Sequence, residues 1–183
     1  MIAAYSCEFS VSGTADDSPL DLGSVQPAEL GGRPLYVGDA APDFTVKTLA
    51  GKDLTLADFR GKFVLLDFWA TWCAPCVAEI PNLEAVHKTF GANPRFVMVS
   101  LSLDEKAAEA RAYMSSQKLA WHQGHVGEES AVASAYDATS IPSTFLIGPD
   151  GKILAMNLRG GMIKTAVEEA LRSQQTRDAA PRR

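Results

Sequence analysis

Concentrated positive charge is the first thing missing. The 183 residues carry 17 Lys and Arg against 22 Asp and Glu, a formal net charge of −5, with no basic run of any length. Phosphate binding needs clustered Lys and Arg, so no nucleic acid is expected as a partner. No apolar run approaches the roughly 20 residues that cross a bilayer, so no membrane span is expected in this chain. The start, Met1 to Tyr5, lacks a basic region and a long apolar region, and does not read as a secretory signal. There is no Walker A pattern, no GxGxxG and no Ser-His-Asp context, which sets aside nucleotide-dependent and triad chemistry. Internal repeats are absent as well. Histidine and cysteine are scarce, with three of each. A zinc module would have to draw on Cys73, Cys76, His122 and His125. That His-x-x-His spacing is short of the finger pattern, so solvent-facing histidines are the preferred reading and no metal site is expected.

What is present is an ordinary globular balance, 46% hydrophobic and 21% charged, sufficient for one core. The chain is organised around residues 67–76, Asp-Phe-Trp-Ala-Thr-Trp-Cys-Ala-Pro-Cys. Phe63 to Phe68 is apolar apart from one carboxylate and predicts a buried central strand. Val77, Ile80, Leu83, Val86 and Phe90 then recur at helical spacing. The cysteine pair therefore falls where a strand ends and a helix begins. Unpaired N–H groups and the positive dipole end favour a thiolate at that point, so Cys73 should ionise below the range of a free cysteine. Cys76, one turn on, is near enough to close a small disulfide ring. Such a pair stores or releases two electrons and two protons. Cys7 is left over and reads as an incidental thiol.

Residues 1–34 differ from the rest. Two short strands, one within residues 5–11 and one within 20–25, flank a turn-rich stretch, and such a pair cannot form a core alone. Two readings stay open. The segment is the end of a preceding β-rich module of a longer protein, or it is a flexible leader or linker. The main domain should span 35–174, with a frayed polar tail at 175–183. It opens with a hairpin, Phe44 to Thr48 and Asp53 to Leu56, and a single helical turn closed by Gly61. Pro81 should kink the helix that follows the cysteines. Arg95 to Leu103 predicts a second buried strand, parallel to the first. Asp104 should cap a helix from Glu105 to Lys118. A short strand (121–126) and a short helix (128–136) come next. Ser143 to Ile147 and Lys152 to Met156 form a closing hairpin, and Ile163 to Arg172 a last helix. The order implies a mixed sheet with helices on both faces.

The stretch around the cysteines resembles the thioredoxin superfamily, and within it the TlpA/ResA branch. The Asp67–Ala70 lead-in, Trp72, Cys73 to Cys76, and the run Glu79-Ile80-Pro81 carry the likeness. Ser140 to Thr144 resembles the superfamily's cis-proline loop, and Gly38 to Phe44 is similar to the opening of TlpA-like and peroxiredoxin-like (redoxin, AhpC/TSA-type) domains. The resemblance implies an α/β thioredoxin fold: a central mixed sheet flanked by helices on both faces, an N-terminal hairpin, and a helical insert between Asp104 and Tyr136, ahead of the cis-proline. It also implies thiol–disulfide exchange through a mixed disulfide at Cys73. The partners would be protein thiols or disulfides and an upstream thiol donor. No cofactor would be needed beyond the Cys73–Cys76 disulfide, and the domain would act as a monomer. Trp72, Ala74, Pro75, Ile141 and Pro142 would contact substrate. The location implied is extracytoplasmic, with the cytoplasm as the alternative.

Cys76 should be the more buried sulfur and needs a base. Asp67 is the first candidate, because burial in an apolar strand raises a carboxyl's pKa towards neutrality. Its bland alternative is a structural carboxylate. Glu79 is the second, set against an exposed helix residue. A thiol peroxidase (antioxidant) is the alternative function, suggested by the Gly38 to Phe44 opening. That pattern needs a threonine three residues before the cysteine, and Thr71 lies only two before Cys73. A non-catalytic scaffold is disfavoured by the joint presence of both cysteines, Asp67 and the Ile-Pro pair.

Overall fold

The computed structural model describes residues 34–179. Cys7 and the two short strands expected ahead of residue 34 lie outside those residues. Seven strands form one mixed sheet: β1 (Thr45–Thr48), β2 (Asp53–Thr55), β3 (Phe63–Trp69), β4 (Phe96–Ser102), β5 (His122–His125), β6 (Ser143–Ile147) and β7 (Ile153–Met156). Their order across the sheet is β2-β1-β5-β4-β3-β6-β7. β3 runs parallel to β4 and antiparallel to β6, so it lies in the interior of the sheet, with a partner on each side.

Every residue of β3 is buried, and the alternation of the strand explains how. Phe63 and Leu65 join Leu83 and Val86 of α1 (Ala74–Phe90) and Ile163, Val167 and Leu171 of α4 (Gly161–Ala179). Val64, Leu66 and Phe68 pack the other way, with Phe44, Tyr136, Phe145 and residues of α2 (Ala107–Gln117) and α3 (Ala131–Ala135). Helices thus cover both faces. Each fully buried aliphatic or aromatic side chain contributes roughly 1.5–3 kcal/mol, which is why this strand anchors everything attached to its ends. The opening segment is held by Tyr136, whose hydroxyl donates to the Pro42 carbonyl at 2.6 Å. Burial of that phenol pushes its pKa well above the usual range.

Three expectations need correction. Asp104 does not cap α2; Lys106 occupies the cap position and makes no side-chain cap bond. The Asp104 carboxylate is turned inward, where it accepts from the Thr71 backbone N–H, the Thr71 hydroxyl and the Ser102 hydroxyl. Three donors, one buried and two part-buried, outcompete one exposed helix end. α3 begins only at Ala131, because Ser130 caps it through the Ala133 N–H at 3.0 Å. α4 does not stop at Arg172 but continues through Ala179. Nothing in Ser173 to Ala179 is a helix breaker, so polarity alone was a poor stop signal. α1 runs to Phe90 with Pro81 inside it, as the apolar spacing predicts.

Candidate active site

The site is built at the C-terminal end of β3. The chain leaves at Trp69, turns through Ala70 to Trp72 and enters α1, with Cys73 as the N-cap residue. The turn is fixed from below. Cys73 N–H donates to Ala70 O at 3.2 Å, Leu103 N–H to Trp69 O at 2.8 Å, and Asp104 holds both donors of Thr71. Pro75 falls in the first turn of the helix, where a missing N–H removes no intrahelical bond.

Cys73 and Cys76 are joined in a disulfide, with Cα atoms 5.2 Å apart. The Cys76 backbone N–H points at Cys73 Sγ, 3.2 Å away. The outer sulfur thus sits where a helix end offers an N–H and positive dipole charge, the setting that favours a thiolate once the bond is reduced. Cys76 is the more buried residue, 2% exposed against 6% for Cys73. Trp72, Ala74 and Pro75 rim the pair and are exposed, Trp72 by 58%. Packing into the core therefore does not explain Trp72.

The Ile141–Pro142 bond is cis. Ser143 of β6 pairs with Phe68 and Thr144 with Asp67, which places the proline loop at the end of β3 from which the cysteine turn departs. Ile141 is half-buried and Pro142 buried. Beneath them lies Arg159, from the turn between β7 and α4. Its guanidinium donates to the Pro142 carbonyl, to Leu158 O at 2.7 Å and to Thr144 Oγ1 at 3.4 Å.

Asp67 is buried in β3. Its Oδ2 accepts from Ser100 Oγ at 3.3 Å, and Ser100 in turn accepts from the Trp121 indole N–H at 2.9 Å. Loss of solvent pushes the Asp67 carboxyl up to about 7; the Ser100 hydrogen bond and the Arg159 charge pull the other way, and the Glu79 charge adds to the rise. Asp67 and Cys76 line the same small cavity of about 10 Å³, together with Trp69, Ser100 and Trp121. Glu79 is not an exposed helix residue. It is buried, and its Oε1 accepts from Gly160 N–H and from Asn82 Nδ2, both at 2.8 Å.

His122 and His125 lie on β5 and are engaged elsewhere. A His125 ring nitrogen is 2.8 Å from Asp104 O, and the His122 ring lies 5.2 Å from that of Phe59. Among the described residues no three His, Cys, Asp or Glu side chains converge as a metal site would require. Sequence reasoning missed Ser100, Trp121 and Arg159. Ser100 did leave a trace, as one of two serines in the otherwise apolar Phe96–Ser102 run. Arg159 left none beyond its place before a Gly-Gly pair.

A mixed sheet with helices on both faces, carrying a Cys-x-x-Cys disulfide at a helix start, defines a thioredoxin-fold thiol–disulfide oxidoreductase. The comparisons agree. Residues 37–156 match the model of the AhpC/TSA family, and the chain belongs to that family, on its TlpA/ResA-like side. It is 34% identical over 135 residues to the thioredoxin-like protein YneN of Bacillus subtilis, covering 73% of this chain and 78% of that one. It is 31% identical over 132 residues to the thiol-disulfide oxidoreductase ResA of the same species, covering 72% of each. Among solved structures, the thioredoxin domain of a thiol-disulfide oxidoreductase from Bacteroides vulgatus superposes with a TM-score of 0.69 at 31% identity, covering 74% of this chain and 97% of that domain.

Proposed function

We propose that Cys73 is the attacking sulfur, Cys76 the resolving sulfur and Asp67 the base that takes the Cys76 proton. In the reducing direction, the Cys73 thiolate attacks one sulfur of a substrate disulfide. A Cys73–substrate disulfide forms and the other substrate sulfur leaves as a thiolate. Cys76 passes its proton to Asp67 and attacks Cys73 Sγ. The Cys73–Cys76 bond forms, the second substrate sulfur departs, and two electrons have moved from the protein to the substrate. The oxidising direction runs the same steps backwards.

One observation carries this reading: Asp67, a carboxyl buried in β3, lines the same small cavity as the buried cysteine of the pair. Burial pushes that carboxyl up to about 7, so near neutrality it is able to accept and return a proton. Glu79 acts as a positioning residue in this scheme, since its Oε1 is committed to Gly160 and Asn82. Exposed Trp72, Ala74 and Pro75 contact the substrate, and the Ile141 backbone pairs with an extended substrate chain. Similarity to the TlpA/ResA branch supports protein thiols or disulfides as substrates, an upstream thiol donor, a monomeric domain working without a further cofactor, and action outside the cytoplasm. Among the described residues no helix is long and apolar enough to cross a membrane.

The test uses reduced C76A with a disulfide-bonded model protein. A persistent adduct on Cys73, found by mass spectrometry, is the expected result. A Cys73 that titrates near 8.5 and forms no adduct defeats the assignment. Labelling of the native thiols in intact cells by a membrane-impermeant reagent decides the location.

A further inference from the structure

We propose that Ser100 is a positioning residue for the resolving step, its hydroxyl proton directed onto the Asp67 carboxylate by the indole N–H of Trp121. The inference rests on Asp67 serving as the base for Cys76.

An indole N–H can only donate. The Trp121 Nε1 hydrogen therefore lies on Ser100 Oγ, 2.9 Å away, and fills an acceptor position of that oxygen. The serine has one proton of its own, and the acceptor within its reach is Asp67 Oδ2 at 3.3 Å. A free hydroxyl would rotate among partners; this one is held. The strand pairing makes the arrangement rigid, because Asp67 and Ser100 are register partners in the parallel β3–β4 pair, both buried. Trp121 is itself fixed, buried at the entrance to β5, with the His87 ring of α1 centred 5.5 Å from its own. All of these except His87 line the cavity that Cys76 enters.

A fixed donor on one carboxylate oxygen does two things. It favours the charged form of an acid that burial would otherwise keep neutral, and it leaves the other oxygen to exchange a proton. The other groups acting on Asp67 are Glu79 from α1, which opposes ionisation, and Arg159 from the turn before α4, which favours it. Cys76 faces it across the cavity, and His87 lies behind Trp121. Neither Glu79 nor Arg159 makes a direct hydrogen bond to Asp67 in this structure, so Ser100 supplies the short-range contribution.

The experiment follows the Asp67 carboxyl by ¹³C NMR titration in reduced protein. S100A removes the donor and should raise the midpoint by about one pH unit, the size expected for a modest hydrogen bond to a charged group. W121F keeps the hydroxyl but frees it, and should move the midpoint in the same direction by less. The pH–rate profile for Cys76 attack on a Cys73 mixed disulfide should shift upward in parallel. A midpoint that stays within about 0.2 unit of the parent in S100A, or falls, overturns the proposal. If D67N leaves the rate profile unmoved, the base assignment fails instead, while the carboxyl midpoint still reports on Ser100.

Discussion

Glu79, on the second turn of α1, accepts the backbone N–H of Gly160 at the start of α4 across 2.8 Å. One carboxylate oxygen thereby ties the cysteine helix to the turn that carries Arg159, and through Arg159 to the proline loop. Both partners are partly or wholly withdrawn from water.

E79A leaves the Gly160 N–H without its acceptor and should cost about 1–3 kcal/mol in urea denaturation. E79Q keeps an acceptor oxygen and should cost less. It also removes a negative charge that raises the Asp67 pKa, so the Asp67 midpoint should fall in E79Q. A midpoint that rises would mean that the charge of Glu79 does not reach Asp67.

Asp67 makes stability depend on pH in an unusual direction. Its pKa is about 7 folded and 3.8 as a free side chain. Between those values the folded state binds more protons than the unfolded one, so stability falls as pH rises from about 4 to about 7, and the contribution is flat outside that window. The full effect is up to about 4 kcal/mol. D67N removes it. The variant should match the parent near pH 4 and exceed it by about 2–4 kcal/mol at pH 8. Denaturation curves of both proteins at the two pH values check this, and a parent that gains stability between pH 4 and pH 7 relative to D67N would contradict it.

Trp72 stands 58% exposed beside a buried disulfide. Truncation of an exposed side chain should leave stability within about 0.5 kcal/mol. An exposed aromatic beside the reacting sulfurs is instead suited to a partner surface, since Trp is enriched among residues that dominate binding. W72A should therefore raise KM for a protein substrate while leaving the rate with a small thiol or disulfide close to the parent's. Equal losses with both substrates would place Trp72 in the chemistry and not in docking.

Much of the fold was legible because strong local patterns agree with the tertiary structure. The apolar Phe63–Phe68 run became the central strand, and the spacing from Val77 onward became the cysteine helix. The closing hairpin formed where Ser143 to Ile147 and Lys152 to Met156 were expected to pair. Asp104 shows where such reading stops. A carboxylate ahead of an apolar-periodic stretch looks like a cap, and only the folded chain brings Thr71 close enough to claim it. The site divides in the same way. Cys73 and Cys76 declare themselves by spacing, and Asp67 by being a charge in an apolar run. Ser100 and Arg159 lie 33 and 92 residues beyond Asp67, and their contacts depend on strand register and on the turn after β7. No local pattern encodes that separation. Glu79 falls between the two. Its position on the helix was visible, but not the neighbour that buries it.

The Arg159 grip on the Pro142 carbonyl bears on how a visiting chain must lie. The guanidinium takes one of the two lone pairs of that oxygen from below, which fixes its direction and leaves the other for an arriving main-chain N–H. In the docking proposed above, a visiting chain would meet a main-chain edge already set in direction, and such an edge reads backbone and not side chains. Selection among partners would then depend less on a sequence code than on whether a cysteine sits in a segment loose enough to straighten.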